Sequence, residues 1–222
     1  MPHRRTIPPA LALLLGVATA APSAAQTTVT SAERAAIVNA VRASSTAREY
    51  RLGTSRFTSV SVQRSGRWVH FTGTPTSASG AESTHCSTSE FGGDAQVDAL
   101  LYQRGTRWEV LESGTCATDV WYLNWGDQYG ADAGRVVGVS NLRPKPFPVQ
   151  ARVESSSDGF VSIRSAPSIR TGERVSRMPS GAQPIVLRCM AEPEVIYGEG
   201  GRWCRVRLGR VEGWSHSAYL SW

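Results

Sequence analysis

The chain has 222 residues, 41% of them hydrophobic, with a formal charge of +6 and four cysteines. That length suits two small domains better than one large core. Beyond the N-terminal region no stretch is long or apolar enough to cross a bilayer, which takes about 20 apolar residues.

Residues 1–25 combine Arg4 and Arg5, a short apolar run and a small-residue site at Ser23-Ala24-Ala25. That is the pattern of a secretory signal peptide, so the expected product is exported, periplasmic or secreted, with no stable membrane insertion after cleavage. Arginine supplies every later cation except Lys145. Residues 135–150 hold three cations and no acid, and residues 151–222 hold ten arginines against seven acids. This basic C-terminal part favours anionic partners such as wall polymers or lipid head groups. No nucleic-acid motif is present, and no nucleic-acid partner is expected.

After the signal, "TTVTSAERAAIVNAVRAS" predicts an amphipathic helix. Thr30 and Glu33 have capping-box spacing, and Ala36, Ile37, Ala40 and Val41 fall on one stripe. Residues 56–63 and 66–73 alternate around a tight turn, as do 95–103 and 106–113, which predicts two hairpins. The Ser/Thr/Gly-rich stretch between them is expected to be a loop. Thr118 is a candidate cap for a short helix carrying Trp121, Leu123 and Trp125. These elements define an α+β unit over 26–130, a helix packed on a curved antiparallel sheet. Residues 131–150, with three prolines at alternate positions in "RPKPFP", predict a semi-rigid linker. From 151 to 222, short alternating stretches with frequent turn residues predict a small all-β barrel.

Export makes disulfides the default for Cys86, Cys116, Cys189 and Cys204. Three pairings are possible, and the favoured one is Cys86–Cys116 with Cys189–Cys204. Cys189 shares a strand face with Ile185 and Leu187, and Cys204 with Val206 and Leu208. Arg-Trp follows a glycine-bearing turn three times, at Trp68, Trp108 and Trp203. The spacing is too irregular for a solenoid, and the recurrence reads mainly as hairpin chemistry.

The last 65 or so residues resemble a bacterial SH3 domain. The matching residues are Ser162, Arg164 and Pro167, then Trp203 and Val206, then Gly213-Trp214 and Tyr219-Leu220. The resemblance implies a bent small barrel of the kind that binds cell-wall peptides or envelope proteins. Residues 191–201 and the two cysteines depart from the family pattern and suggest a longer, stapled loop. Strand parity puts Trp203 opposite Cys204 and Val206, on a surface face. Tyr197, Trp203, Trp214 and Tyr219 form the candidate groove, with Arg164 or His216 as a polar handle. Filling of a small barrel core competes with that role for Trp214 and Tyr219. The N-terminal unit is similar to cystatin-like or NTF2-like folds and to exported bacterial domains of unknown role.

Catalytic constellations are weak. His85 adjoins Cys86, but neighbouring residues on an extended chain point apart. No histidine spacing suggests a metal, and no cofactor is expected. Glu90, Asp94, Asp98 and Asp119 read as surface or helix-start acids rather than a glycosidase pair. The expected function is a non-enzymatic exported envelope protein that binds peptidoglycan or an envelope protein through the C-terminal unit. The alternatives are a cell-wall hydrolase with that unit as targeting module, or an exported inhibitor or stress scaffold.

Overall fold

In the computed structural model, residues 28–76, 86, 95–117, 120–138, 145–154 and 158–222 are described. The signal segment, His85, Glu90, Asp94, Thr118 and Asp119 lie outside them. The fold is mixed α+β with antiparallel sheets.

Helix α1 (Ser31–Arg42) begins at the expected box: Thr30 accepts from the Glu33 backbone, and the Glu33 carboxylate accepts from the Thr30 backbone. Each such pair satisfies donors that the first helical turn leaves open. Ile37 and Val41 are buried, whereas Ala36 is exposed. A short helix α2 (Ser45–Glu49), capped by Ser44, follows. Strands β1 (Arg56–Ser65), β2 (Trp68–Thr76), β3 (Val97–Arg104) and β4 (Arg107–Gly114) then form a meander in chain order. Gly66 and Gly105 take positive φ in the two-residue turns, which is why glycine stands there.

Both faces of this sheet are covered. Helix α1 packs over Val69, Phe71, Ala99 and Leu101. On the opposite face, a 3-10 turn (Trp121–Asn124), α3 (Trp125–Tyr129) and α4 (Ala131–Val136) bury Trp125, Tyr129, Ala133 and Val136 against Trp68, Leu100 and Tyr102. The start of the expected linker is thus a packed helix: Ala133 and Val136 supply an apolar face that the proline-rich tail obscures in the sequence. β2 and β3 accordingly carry apolar side chains on both faces: Val69, Phe71, Ala99 and Leu101 on one, Trp68, Leu100 and Tyr102 on the other.

The remaining strands are β5 (Val149–Gln150), β6 (Arg152–Val153), β7 (Phe160–Arg164), β8 (Arg174–Pro179), β9 (Ile185–Ile196), β10 (Glu199–Leu208), β11 (Val211–His216) and β12 (Leu220–Ser221). Six of them make one sheet, in the order β5-β9-β10-β11-β7-β8, and β12 pairs with β6. The six-stranded sheet is not closed into a barrel: β5 and β8 are its two ends. Its core holds Val153, Val161, Ile163, Met178, Val186, Cys204, Val206 and Leu220.

Cys86–Cys116 and Cys189–Cys204 are both disulfide-bonded. The second bridge joins directly opposed residues of β9 and β10. The expected face is corrected on β9: a bulge puts Val186, rather than Ile185 and Leu187, in the core with Cys189. Residues 191–201 are a continuation of that hairpin rather than a loop. They form an arm that turns at Tyr197-Gly198, where both residues have positive φ.

The arm docks on the first sheet. Arg67 pairs with Glu192 at 2.7 Å, Arg104 donates to the Pro193 carbonyl at 2.6 Å, and Val195 packs beside Tyr129 and its neighbours. Arg202 is buried and donates to the carbonyls of Gln128 (2.9 Å) and Asp127 (3.2 Å), at the end of α3. Burial lowers its pKa to about 10. The third Arg-Trp therefore differs from the first two: its preceding glycines serve close approach, not a turn. A Cβ on Gly200 would stand 2.4 Å from the Leu111 carbonyl oxygen and 2.6 Å from the Tyr129 hydroxyl. Gly200→Ala is expected to cost about 2 kcal/mol, the range of overpacking, and to loosen the arm. Chemical unfolding would measure it, and an unchanged midpoint would rule out tight seating there.

Candidate functional site

One cleft of about 620 Å³ lies on the outer face of the six-stranded sheet, beneath the tip of the arm. Alternation builds it. Val161 and Ile163 point into the core, so Phe160, Ser162 and Arg164 point out; likewise Cys204 and Val206 point in, and Trp203 points out. Tyr197 and Glu199 reach over the cleft from the arm, and Tyr219 closes one side.

Five of the six candidate groove residues meet there: Tyr197, Trp203, His216, Tyr219 and Arg164. Their roles differ from the expectation. Tyr197 is the exposed one, at 78%. Trp203 is only 4% exposed, and its indole Nε1 donates to Glu194 Oε2 at 2.5 Å. Its parity is as expected, but the arm and His216, whose ring centre is 5.5 Å away, cover that face. His216 is 2% exposed and donates Nε2–H to the Glu194 carbonyl at 3.1 Å. Burial lowers its pKa to about 4, so it is neutral at pH 7 and supplies no charge to a ligand. Arg164 is half-buried, with one nitrogen bonded to the Gly172 carbonyl at 2.7 Å. Trp214 does not line the cleft and belongs to none of the three core clusters. It is half-buried farther along the same face, with the Arg188 guanidinium 5.6 Å from its ring centre.

Sequence reasoning missed the other cleft residues, Phe160, Arg174, Asp158 and Glu199 among them. The alternation of "FVSIR" was the available signal for Phe160. Arg174 lies over the Phe160 ring at 5.1 Å and donates to Ser162 Oγ at 2.9 Å, which fixes a cation at the cleft edge. The cleft thus offers an exposed phenol, an aromatic wall, two guanidiniums and two carboxylates.

A wider cleft of about 930 Å³ runs between α2, β4 and the arm tip. Several of its polar groups are already engaged: Arg104 with Glu109 at 3.1 Å, Thr46 with the Ser113 carbonyl at 2.7 Å. Glu112 accepts from Trp125 Nε1 and from the Tyr129 hydroxyl, each at 2.6 Å. Its pKa is raised, because desolvation outweighs these bonds. The sequence hides this set, since plain alternation would align Glu112 with Trp108 and Val110. A bulge at Leu111 turns Glu112 to the other face.

A buried pair, His70 Nε2 and Asp98 Oδ1 at 3.0 Å, lies between β2 and β3 under the rings of Tyr122 and Trp125. It lines neither cleft. Asp98 is therefore an internal partner, not the surface acid expected from sequence. Cys86, as half of a disulfide, has no free thiol. Among the described residues no helix is long and apolar enough to cross a membrane, and no group of acids, histidines and cysteines is arranged to hold a metal.

Comparison with protein-family models, with curated proteins and with solved structures returns no match to this chain.

Proposed function

We propose that the protein is an exported, non-enzymatic envelope protein that holds a short peptide segment, from the cell wall or from an envelope protein, in the cleft beneath Tyr197. The observation that carries this reading is the convergence of Tyr197, Trp203, Tyr219 and Arg164 on one cleft of peptide-binding size. Arg164 and Arg174 together with Asp158 and Glu199 in the lining suit a ligand that bears both a carboxylate and an amine. The resemblance of the last 65 or so residues to bacterial SH3 domains supports the same reading. Two disulfides suit an oxidising compartment, periplasmic or extracellular.

The reading is tested at Tyr197, because replacing Trp203 would remove a buried side chain and unsettle the sheet. Titration calorimetry with a soluble wall stem peptide is expected to show saturable binding by the full chain. Tyr197→Ala should weaken it about tenfold, the effect of a modest aromatic anchor. Equal affinity in the variant, or no binding by the parent, would overturn the assignment.

A further inference from the structure

Across the outer face of the six-stranded sheet runs a single row of directly opposed residues. It reads Arg188 on β9, Arg205 on β10, Trp214 on β11, Arg164 on β7 and Arg174 on β8. In-register neighbours leave a sheet on the same side. With strands about 4.8 Å apart, the row is about 19 Å long.

This placement has an electrostatic cost. Arg188 stands opposite Arg205, and Arg164 stands opposite Arg174. Like charges directly across a strand pair destabilise it. Only Arg205 has an acidic partner among the described residues, Glu212 at 2.6 Å. Arg188 and Arg174 are exposed, and the former rests on Trp214. Arg207 and Arg177 add charge nearby, the latter 4.5 Å from the Phe160 ring centre. An anion laid on the row would relieve the repulsion between the opposed arginines.

We propose that this row binds one chain of an acidic polysaccharide, its carboxylates held by the two arginine pairs that flank Trp214. Guanidinium forks match carboxylates in two-bond geometry. A single file with a flat aromatic ring at its centre fits a linear chain better than a bilayer surface. An oxidising compartment, implied by the disulfides, favours a glycan over a nucleic acid. Arg164 and Arg174 also line the peptide cleft, whereas Arg188 and Arg205 do not. The two surfaces can therefore be tested apart.

The probe is end-labelled oligogalacturonate, followed by fluorescence anisotropy with the full chain at low and high salt. Binding is expected at low salt and should collapse as salt screens the exposed arginines. Arg188→Ser, at an exposed position, should weaken it by up to about fivefold, the upper range for one exposed ion pair. Tyr197→Ala, which weakens peptide binding about tenfold, should leave glycan binding unchanged, because Tyr197 stands outside the row. Methyl-esterified oligomer, which lacks the charge, should not bind. No binding of oligogalacturonate at low salt would overturn the proposal, as would an affinity insensitive to Arg188→Ser. Stronger capture by anionic lipid vesicles than by the glycan would also overturn it and assign the row to a lipid surface.

Discussion

Glu112→Ala is expected to destabilise the protein by about 4 kcal/mol, because two donors would be stranded in the core at about 1–3 kcal/mol each. Trp125 is 0% and Tyr129 2% exposed, so water entering from the cleft that Glu112 lines would replace the lost carboxylate only in part. Tyr129→Phe should cost about 2 kcal/mol, the worth of one hydrogen bond to a charged group. Urea unfolding of both variants gives the comparison, and a loss below 1 kcal/mol in Glu112→Ala would show that the pair is not sealed. The pH dependence has a defined sign. The folded pKa of Glu112 is raised, so the protonated carboxyl favours the folded state. Its contribution is present at low pH and is lost as pH rises from the unfolded value through the raised one. The deficit of Glu112→Gln relative to the parent should therefore shrink as pH increases.

His216 acts in the opposite direction. Its folded pKa is depressed to about 4 against an unfolded value near 6.5. Above pH 6.5 the imidazole is neutral in both states and costs nothing. As pH falls from 6.5 to 4, the unfolded chain takes up a proton that the folded chain refuses. Stability worth about 3 kcal/mol is lost over that window. The difference in unfolding free energy between the parent and His216→Gln, measured from pH 7.5 to 4, isolates this from the carboxylates. Glutamine retains a donor for the Glu194 carbonyl. A difference that does not vary with pH, or an imidazole that titrates near 6.5 in the folded protein, would contradict the burial assigned to His216.

Much of the architecture is legible in local pattern. Thr30 with Glu33 marks the start of α1, Gly66 and Gly105 mark hairpin turns, and the pairing of Cys189 with Cys204 is as expected, although a bulge in β9 replaces Ile185 and Leu187 by Val186 on the core face. These features depend on a few neighbouring residues and two simple periods. What escapes is decided by contacts between distant segments. Trp203 has the outward parity expected of it, yet it is covered by an arm whose path depends on Gly200 fitting against Leu111. The strands that follow residue 150 are visible one by one, but their open order is not. Arg188, Arg205, Trp214, Arg164 and Arg174 are scattered over three hairpins' worth of chain, and only strand register puts them in line.

The peptide cleft is most directly tested by an NMR titration of the full, isotope-labelled chain with a wall stem peptide. Shifts are expected at Tyr197, Ser162, Arg174 and the Trp203 indole, while residues of the first sheet stay unmoved. Perturbations confined to β1–β4, or none at saturating peptide, would contradict it.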